Sequence, residues 1–148
     1  MFRSVDGGHT WQQMASLGTS MWRVELATNP ENENEVWAST TAGANGNKVF
    51  QSLDKGNTWI NKSTPSLDDE RLRDIMYQGG TDGVVYVMSE HAVYKHIPST
   101  GEWLNVSEGL PFVAKGFEMR PFYRDQKLRM ATYGKGIWEM QMEDYSQP

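Results

Sequence analysis

Residues 2–11 read FRSVDGGHTW and residues 50–59 read FQSLDKGNTW, so Phe, Ser, Asp, Gly, Thr and Trp recur in register 48 positions apart. A weaker third copy at residues 94–103, YKHIPSTGEW, keeps the initial aromatic residue and the final Trp. Trp138 lies 44 positions after the start of the third copy and begins a fourth. We infer an internal repeat of 44 to 48 residues.

The sequence between these copies is typical of short β-strands. β-branched and aromatic residues fill segments such as 22–27, 35–39 and 84–88, and turn-forming Asn, Pro and Gly residues separate them. Each repeat holds four such segments, labelled strands A to D in chain order. A four-stranded sheet that repeats every ~40 to 45 residues is typical of a β-propeller blade, whose two faces are buried between neighbouring blades. We therefore predict an all-β propeller; the alternative, a β-sandwich, does not explain the recurring motif.

The repeat marks divide residues 1–148 into one propeller segment of about three blades in an incomplete ring. Residues 1–14 form the end of one blade, 22–61 and 71–105 form two full blades, and 116–142 form a final, incomplete blade. Closed propellers have about four or more blades. We expect the ring to be completed by the remaining blades of a longer chain or by further copies of this one, and we favour a C-terminal fragment of a longer chain.

The shared motif lies where strand C turns into strand D. Its Asp is expected to accept hydrogen bonds from turn amides, its Gly to adopt a positive φ, and its Thr to bond back to the turn. Its Trp is expected to pack as a plug. The predicted structural residues are Ser4, Asp6, Gly8, Thr10, Trp11, Ser52, Asp54, Gly56, Thr58 and Trp59.

These two motifs resemble the Asp-box (BNR) repeats of sialidases, family 74 glycoside hydrolases and sortilin-type receptors. Residues 128–139, LRMATYGKGIWE, are similar to the closing blade of Bacteroidetes secreted surface propellers, with Lys135 where that pattern has Arg. The resemblance implies a propeller, an extracellular or cell-surface location, and a structural box on the face opposite the ligand site.

Strand alternation places the D-to-A and B-to-C loops on that opposite face, where a rigid scaffold displays variable loops. Aromatic rings beside carboxylates and guanidinium groups suit a glycan or a protein ligand, although the same residues also fit an ordinary solvated rim. The candidate residues are Trp22, Asp69, Arg71, Arg73, His91, Tyr133 and Lys135.

Composition excludes several other classes of function. A net charge of −5, from 19 acidic and 14 basic residues, argues against nucleic-acid binding. The chain has no Cys and no apolar run of the ~20 residues that a membrane-spanning helix needs. No motif indicates a metal or cofactor, and the acidic run 68–70 is interpreted as a solvated loop.

Glu25, Asp74 and Glu118 occupy similar positions in successive repeats, which favours a structural role over catalysis. We predict a binding scaffold without catalytic residues in this chain. The alternative is a fragment of a glycoside hydrolase, xyloglucanase-like or sialidase-like, whose catalytic carboxylates lie partly outside it.

Overall fold

The computed structural model describes residues 1–111 and 115–144; residues 112–114 and 145–148 of the predicted segment lie outside the described residues. Its strands form four antiparallel sheets of two, four, four and three strands, in which consecutive strands pair. The predicted all-β class with four-stranded antiparallel sheets is confirmed. The strands are β1 (Phe2–Arg3), β2 (Gln12–Gln13), β3 (Val24–Asn29), β4 (Asn32–Thr40), β5 (Val49–Ser52), β6 (Ile60–Asn61), β7 (Leu72–Tyr77), β8 (Val85–Ser89), β9 (Val93–Ile97), β10 (Glu102–Asn105), β11 (Gly116–Phe122), β12 (Lys127–Thr132) and β13 (Gly136–Gln141).

The four sheets are arranged as propeller blades. The first strands of neighbouring sheets, β3, β7 and β11, lie side by side, as strands that surround a central axis do. Short 3₁₀ helices at Pro65–Leu67 and Tyr123–Asp125 interrupt two of the connections. Because the first sheet has two strands and the last has three, the described chain forms part of a ring.

The core lies between the blades. Trp37, Leu72, Val85 and Trp103 are nearly inaccessible in the layer between the second and third sheets. A second layer, rich in Met, fills the space between the third and fourth sheets around Met119. Full burial of an aliphatic side chain contributes about 1.5 to 3 kcal/mol, so these layers supply most of the driving force for blade stacking.

Side-chain hydrogen bonds also cross from blade to blade. The Thr41 hydroxyl donates to the Leu72 carbonyl at 2.5 Å, and the Trp103 indole donates to the Lys62 carbonyl at 2.8 Å. The Asp74 carboxylate accepts from the Met119 amide of the next blade at 2.5 Å. Such bonds fix the rotation of one sheet on its neighbour, which apolar packing alone does not specify.

The outer faces of the first and last sheets carry exposed apolar side chains, among them Phe2, Trp11 and Ile137. Trp11 was predicted to pack as a plug, and that prediction is wrong because its side chain is 63% exposed. The first sheet has two strands, and no further blade formed by the described residues covers this face of it. The Trp11 indole instead lies on its own turn and donates to the Gly8 carbonyl at 3.1 Å.

Within residues 1–111 and 115–144, no helix has the length and apolar character that a membrane crossing requires.

Candidate functional site

The β5–β6 turn is closed by a compact hydrogen-bond network. The Ser52 hydroxyl donates to the Asp54 carboxylate at 2.8 Å and accepts from the Gly56 amide at 2.7 Å. The same carboxylate accepts from the amide and the hydroxyl of Thr58 at 2.8 and 2.7 Å. These bonds from the backbone and side chain of Thr58 lower the pKa of Asp54. Gly56 has φ +87°, in the left-handed region that glycine tolerates best.

The β1–β2 turn repeats this network with nearly the same distances. The Asp6 carboxylate accepts from the Ser4 hydroxyl at 2.7 Å and from the Thr10 hydroxyl at 2.6 Å, and the Gly8 amide donates to Ser4 at 2.8 Å. The hydrogen bonds from Thr10 and Ser4 lower the pKa of Asp6 to about 2. Every carboxylate oxygen in the two turns is engaged locally, which leaves these groups poorly placed for ligand chemistry.

On the opposite face, two of the predicted ligand residues share one acidic partner. Arg73 forms an ion pair with Glu90, and the Arg71 guanidinium lies 3.6 Å from the same carboxylate. Burial and the positive charges of Arg23 and Arg71 lower the pKa of Arg73. The guanidinium groups of Arg23, Arg71 and Arg73 therefore lie close enough to repel one another, near the first residues of β3 and β7.

Arg23 was not among the predicted residues, and it completes this cluster. It precedes β3 with a left-handed backbone, φ 52°, a conformation that is strained for a side chain other than glycine. Its guanidinium contacts Glu25 at 3.3 Å and lies 5.7 Å from the centre of the Phe117 ring. Strained residues of this kind occur often at binding sites.

A surface depression of about 210 Å³ opens beside these guanidinium groups. We call it the arginine depression, and it is lined by Arg23, Arg73, Lys115, Gly116, Phe117 and Tyr133. No acidic side chain is among these lining residues of the described chain. In a protein with a net charge of −5, the depression is a local concentration of positive charge with aromatic walls.

Asp69 and His91 lie apart from the arginine depression. The Asp69 carboxylate accepts from the Asn45 side chain at 3.0 Å, and its amide donates back to Asn45 at 2.9 Å. His91 lies 3.7 Å from the Glu70 carboxylate. The acidic run therefore serves to hold the loop between β4 and β5, and the described residues contain no group of His, Asp and Glu side chains placed to hold a metal ion.

The remaining predicted residues are on the same side of the sheets but differ in environment. Tyr133 is 79% exposed at the edge of the arginine depression, and Trp22 is 58% exposed in the loop before β3. Lys135 lies in the β12–β13 turn, where its carbonyl accepts from the Trp138 indole at 2.8 Å. Thus Arg73 and Tyr133 are brought together in one depression, with Arg71 beside them.

The three recurring carboxylates have structural contacts. Glu25 pairs with Arg23, and Glu118 pairs with Arg120. Asp74 is buried, and one of its oxygens accepts from the amide of the next blade. Burial raises the pKa of Asp74.

Sequence reasoning missed Arg23, Glu90, Lys115 and Phe117. Arg73 and Phe117 lie at β-bulges, where the pairing register shifts between Leu72 and Asp74 and between Gly116 and Glu118. A bulge turns a side chain out of the strict alternation of a strand, so the period-two pattern does not place it. Repetition of the bulge in two successive blades is a signal that an alignment of the repeats can detect.

No protein-family model and no curated protein matches the sequence. Among solved structures, the chain is similar to YCF48 from Cyanidioschyzon merolae, with a TM-score of 0.64 and 16% identity over 87% of this chain and 37% of that one. It is also similar to YCF48 bound to D1 peptide, with a TM-score of 0.57 and 13% identity over 88% of this chain and 44% of that one. The chain thus spans less than half the length of either structure, and at these identities the likeness shows that it has a propeller-type fold.

Proposed function

We propose that this chain is part of a propeller scaffold that binds protein ligands, and that the arginine depression receives an acidic side chain or a terminal carboxylate of an extended peptide. The observation that carries the proposal is the placement of Arg23, Arg73 and Lys115 around a depression that no acidic residue of the described chain lines. Guanidinium groups suit this task because they bind carboxylates in a planar, two-pronged geometry. YCF48, which has a similar fold, is known bound to a peptide.

Glu90 supports this proposal through its geometry. Its side chain is mostly buried, and its carboxylate neutralises part of the charge of Arg73 and Arg71. Three guanidinium groups and Lys115 face two neighbouring carboxylates, Glu90 and Glu25. An incoming carboxylate therefore meets excess positive charge whose positions are already fixed, which reduces the entropy lost on binding.

Glycan binding is the second candidate, and the exposed rings of Trp22 and Tyr133 favour it. Sugar rings stack on such aromatic faces without needing a charged partner. The structural contacts of Glu25, Asp74 and Glu118 support a binding role over the glycoside hydrolase alternative. We further propose an extracellular or cell-surface location, on the resemblance of residues 128–139 to secreted propellers, and completion of the ring by further blades or copies.

A selection from a random peptide library tests the proposal. The purified chain is immobilised, and bound peptides are sequenced before and after washing with a mixture of neutral oligosaccharides. We expect enrichment of Asp, Glu and free C-termini, and loss of that enrichment in Arg73→Gln. Peptides with no charge preference, or complete displacement by the oligosaccharides, would contradict the proposal and favour glycan binding.

A further inference from the structure

A second, larger cleft lies on the opposite face of the propeller, between the β3–β6 and β7–β10 sheets. We call it the interblade cleft; it has a volume of about 780 Å³. Trp37 and Gln51 line one wall, and Tyr77 and His96 line the other. Both walls belong to four-stranded sheets, so the cleft is separate from the uncovered faces at the two ends of the described chain.

Glu35 is a buried carboxylate in this cleft, with 8% of the residue exposed. One oxygen accepts from the Trp37 indole at 2.8 Å and from the Gln51 amide at 2.7 Å. The other accepts from the Asn29 amide at 2.8 Å. All three donors are neutral, and the described residues place no cation in ion-pair contact with Glu35. Buried charges in proteins are normally paired, so this carboxylate lacks its usual counter-charge.

His96 adds an unused hydrogen-bond acceptor to the same cleft. The residue is 5% exposed, and its Nδ1 lies 3.2 Å from the Gly83 carbonyl. A carbonyl only accepts, so Nδ1 carries the proton and Nε2 of the neutral ring is an acceptor. Among the described residues, Nε2 has no donor partner. Burial lowers the pKa of His96, which favours this neutral form.

The cleft as a whole carries an excess of negative charge. Glu31 and Asp82 line it together with Glu35, against the single cation Lys62 among the described lining residues. The Glu31 carboxylate accepts from the Gly80 amide at 2.9 Å, whereas Asp82 is exposed. The three carboxylates, unlike Lys62, favour a ligand that donates hydrogen bonds and carries positive charge.

We propose that the interblade cleft binds an organic ammonium group, with Glu35 as its buried counter-charge. An ammonium has three N–H donors and no acceptor, and its charge complements the carboxylates of Glu31, Glu35 and Asp82, while Nε2 of His96 is a further acceptor in the lining. The ammonium belongs either to a free alkyl diamine or to a lysine side chain of a protein partner. This proposal is independent of the arginine depression, which lies on the other face.

The Trp37 indole N–H is a direct reporter of this site because it donates to Glu35. In ¹H–¹⁵N correlation spectra of the ¹⁵N-labelled chain, we expect its signal to shift saturably with 1,5-diaminopentane and with Nα-acetyl-lysine N-methylamide. The neutral control 1,5-pentanediol has the same length and is expected to leave it unchanged. The Trp11 indole, which donates to the Gly8 carbonyl, is the internal control signal. Tighter binding of the lysine derivative indicates a protein side chain as the natural ligand, and tighter binding of the diamine indicates a free amine.

Two variants test the assigned residues. Asp82→Asn removes an exposed charge of the cleft without touching the core, and we expect it to weaken amine binding by at least about threefold. Glu35→Gln is expected to abolish the shift, with a circular dichroism spectrum to establish folding. Glu33→Gln, on the same strand but paired with Lys55 outside the cleft, is the matched control and should bind as wild type does. The proposal is overturned if the Trp37 signal does not respond to either amine, if pentanediol shifts it equally, or if Asp82→Asn and Glu33→Gln bind alike.

Discussion

Replacing Ser52 by Ala isolates the contribution of one hydroxyl to the β5–β6 turn. That hydroxyl accepts from the Gly56 amide at 2.7 Å and donates to Asp54 at 2.8 Å, and Ser52 is fully buried. In the variant the buried Gly56 N–H has no acceptor, and a buried unsatisfied donor costs about 1 to 3 kcal/mol. For a chain of 148 residues, each kcal/mol lowers Tm by about 3 °C, so we expect a decrease of roughly 3 to 10 °C.

The first repeat offers a matched control for this experiment. Ser4 makes the same bonds, 2.7 Å to Asp6 and 2.8 Å from the Gly8 amide, but its turn is exposed. Water replaces the missing acceptor in Ser4→Ala, so the expected loss is below about 1 kcal/mol. Both variants are compared with wild type by urea unfolding, with an unchanged m-value as the sign of a pure stability effect. Equal losses in the two variants, or no loss in Ser52→Ala, would refute the assignment of the cost to a buried amide.

Three further outcomes follow from local geometry. Gly43→Ala places a Cβ 2.2 Å from the Asn47 carbonyl oxygen, so we expect a loss of about 1 to 3 kcal/mol in urea unfolding, whereas Ala44→Ser, at the exposed next position, should be neutral. Burial raises the pKa of Tyr86 to about 12, above its value of 10 in the unfolded chain, so its stabilising contribution is complete below pH 10 and is lost as pH rises through about 12. The ionisation of Tyr86, followed by the ¹³C signal of its ring, should therefore coincide with unfolding, and its ionisation in a fully folded chain near pH 10 would be inconsistent with Tyr86 burial. Asp6, with a pKa of about 2, should lose its stabilising effect as pH falls from about 4 through 2, and a carboxyl ¹³C titration midpoint near 4 would disprove its hydrogen-bonded state.

The blades were predictable because their signals are local. Turn residues and strand alternation recur in each repeat, and the registers of β3 to β13 depend on these short-range patterns. Trp11 was misplaced for a different reason: the burial of a side chain on a sheet face depends on whether another blade covers that face, and the motif itself does not contain that information.

The candidate site was predictable only in part. Loop position identified Arg71, Arg73 and Tyr133, because strand alternation assigns loops to one face. It did not identify Arg23, whose orientation depends on a left-handed backbone, or Glu90, whose role depends on pairing across a β-hairpin. The interblade cleft was absent from the prediction because its walls come from residues far apart in the sequence, such as Asn29 and Tyr77, which are 48 positions apart and form a hydrogen bond.

The most direct test of the proposed function is a calorimetric titration of one library-selected acidic peptide into wild type, Arg73→Gln and Arg124→Gln. Arg124 is the control because its side chain is 94% exposed and lies outside the arginine depression. A hydrogen bond between charged groups is worth about 1.5 to 3 kcal/mol, so we expect Arg73→Gln to weaken binding by on the order of tenfold or more and Arg124→Gln to leave it unchanged. Equal affinities for all three proteins would contradict the account and place the peptide site elsewhere on the propeller.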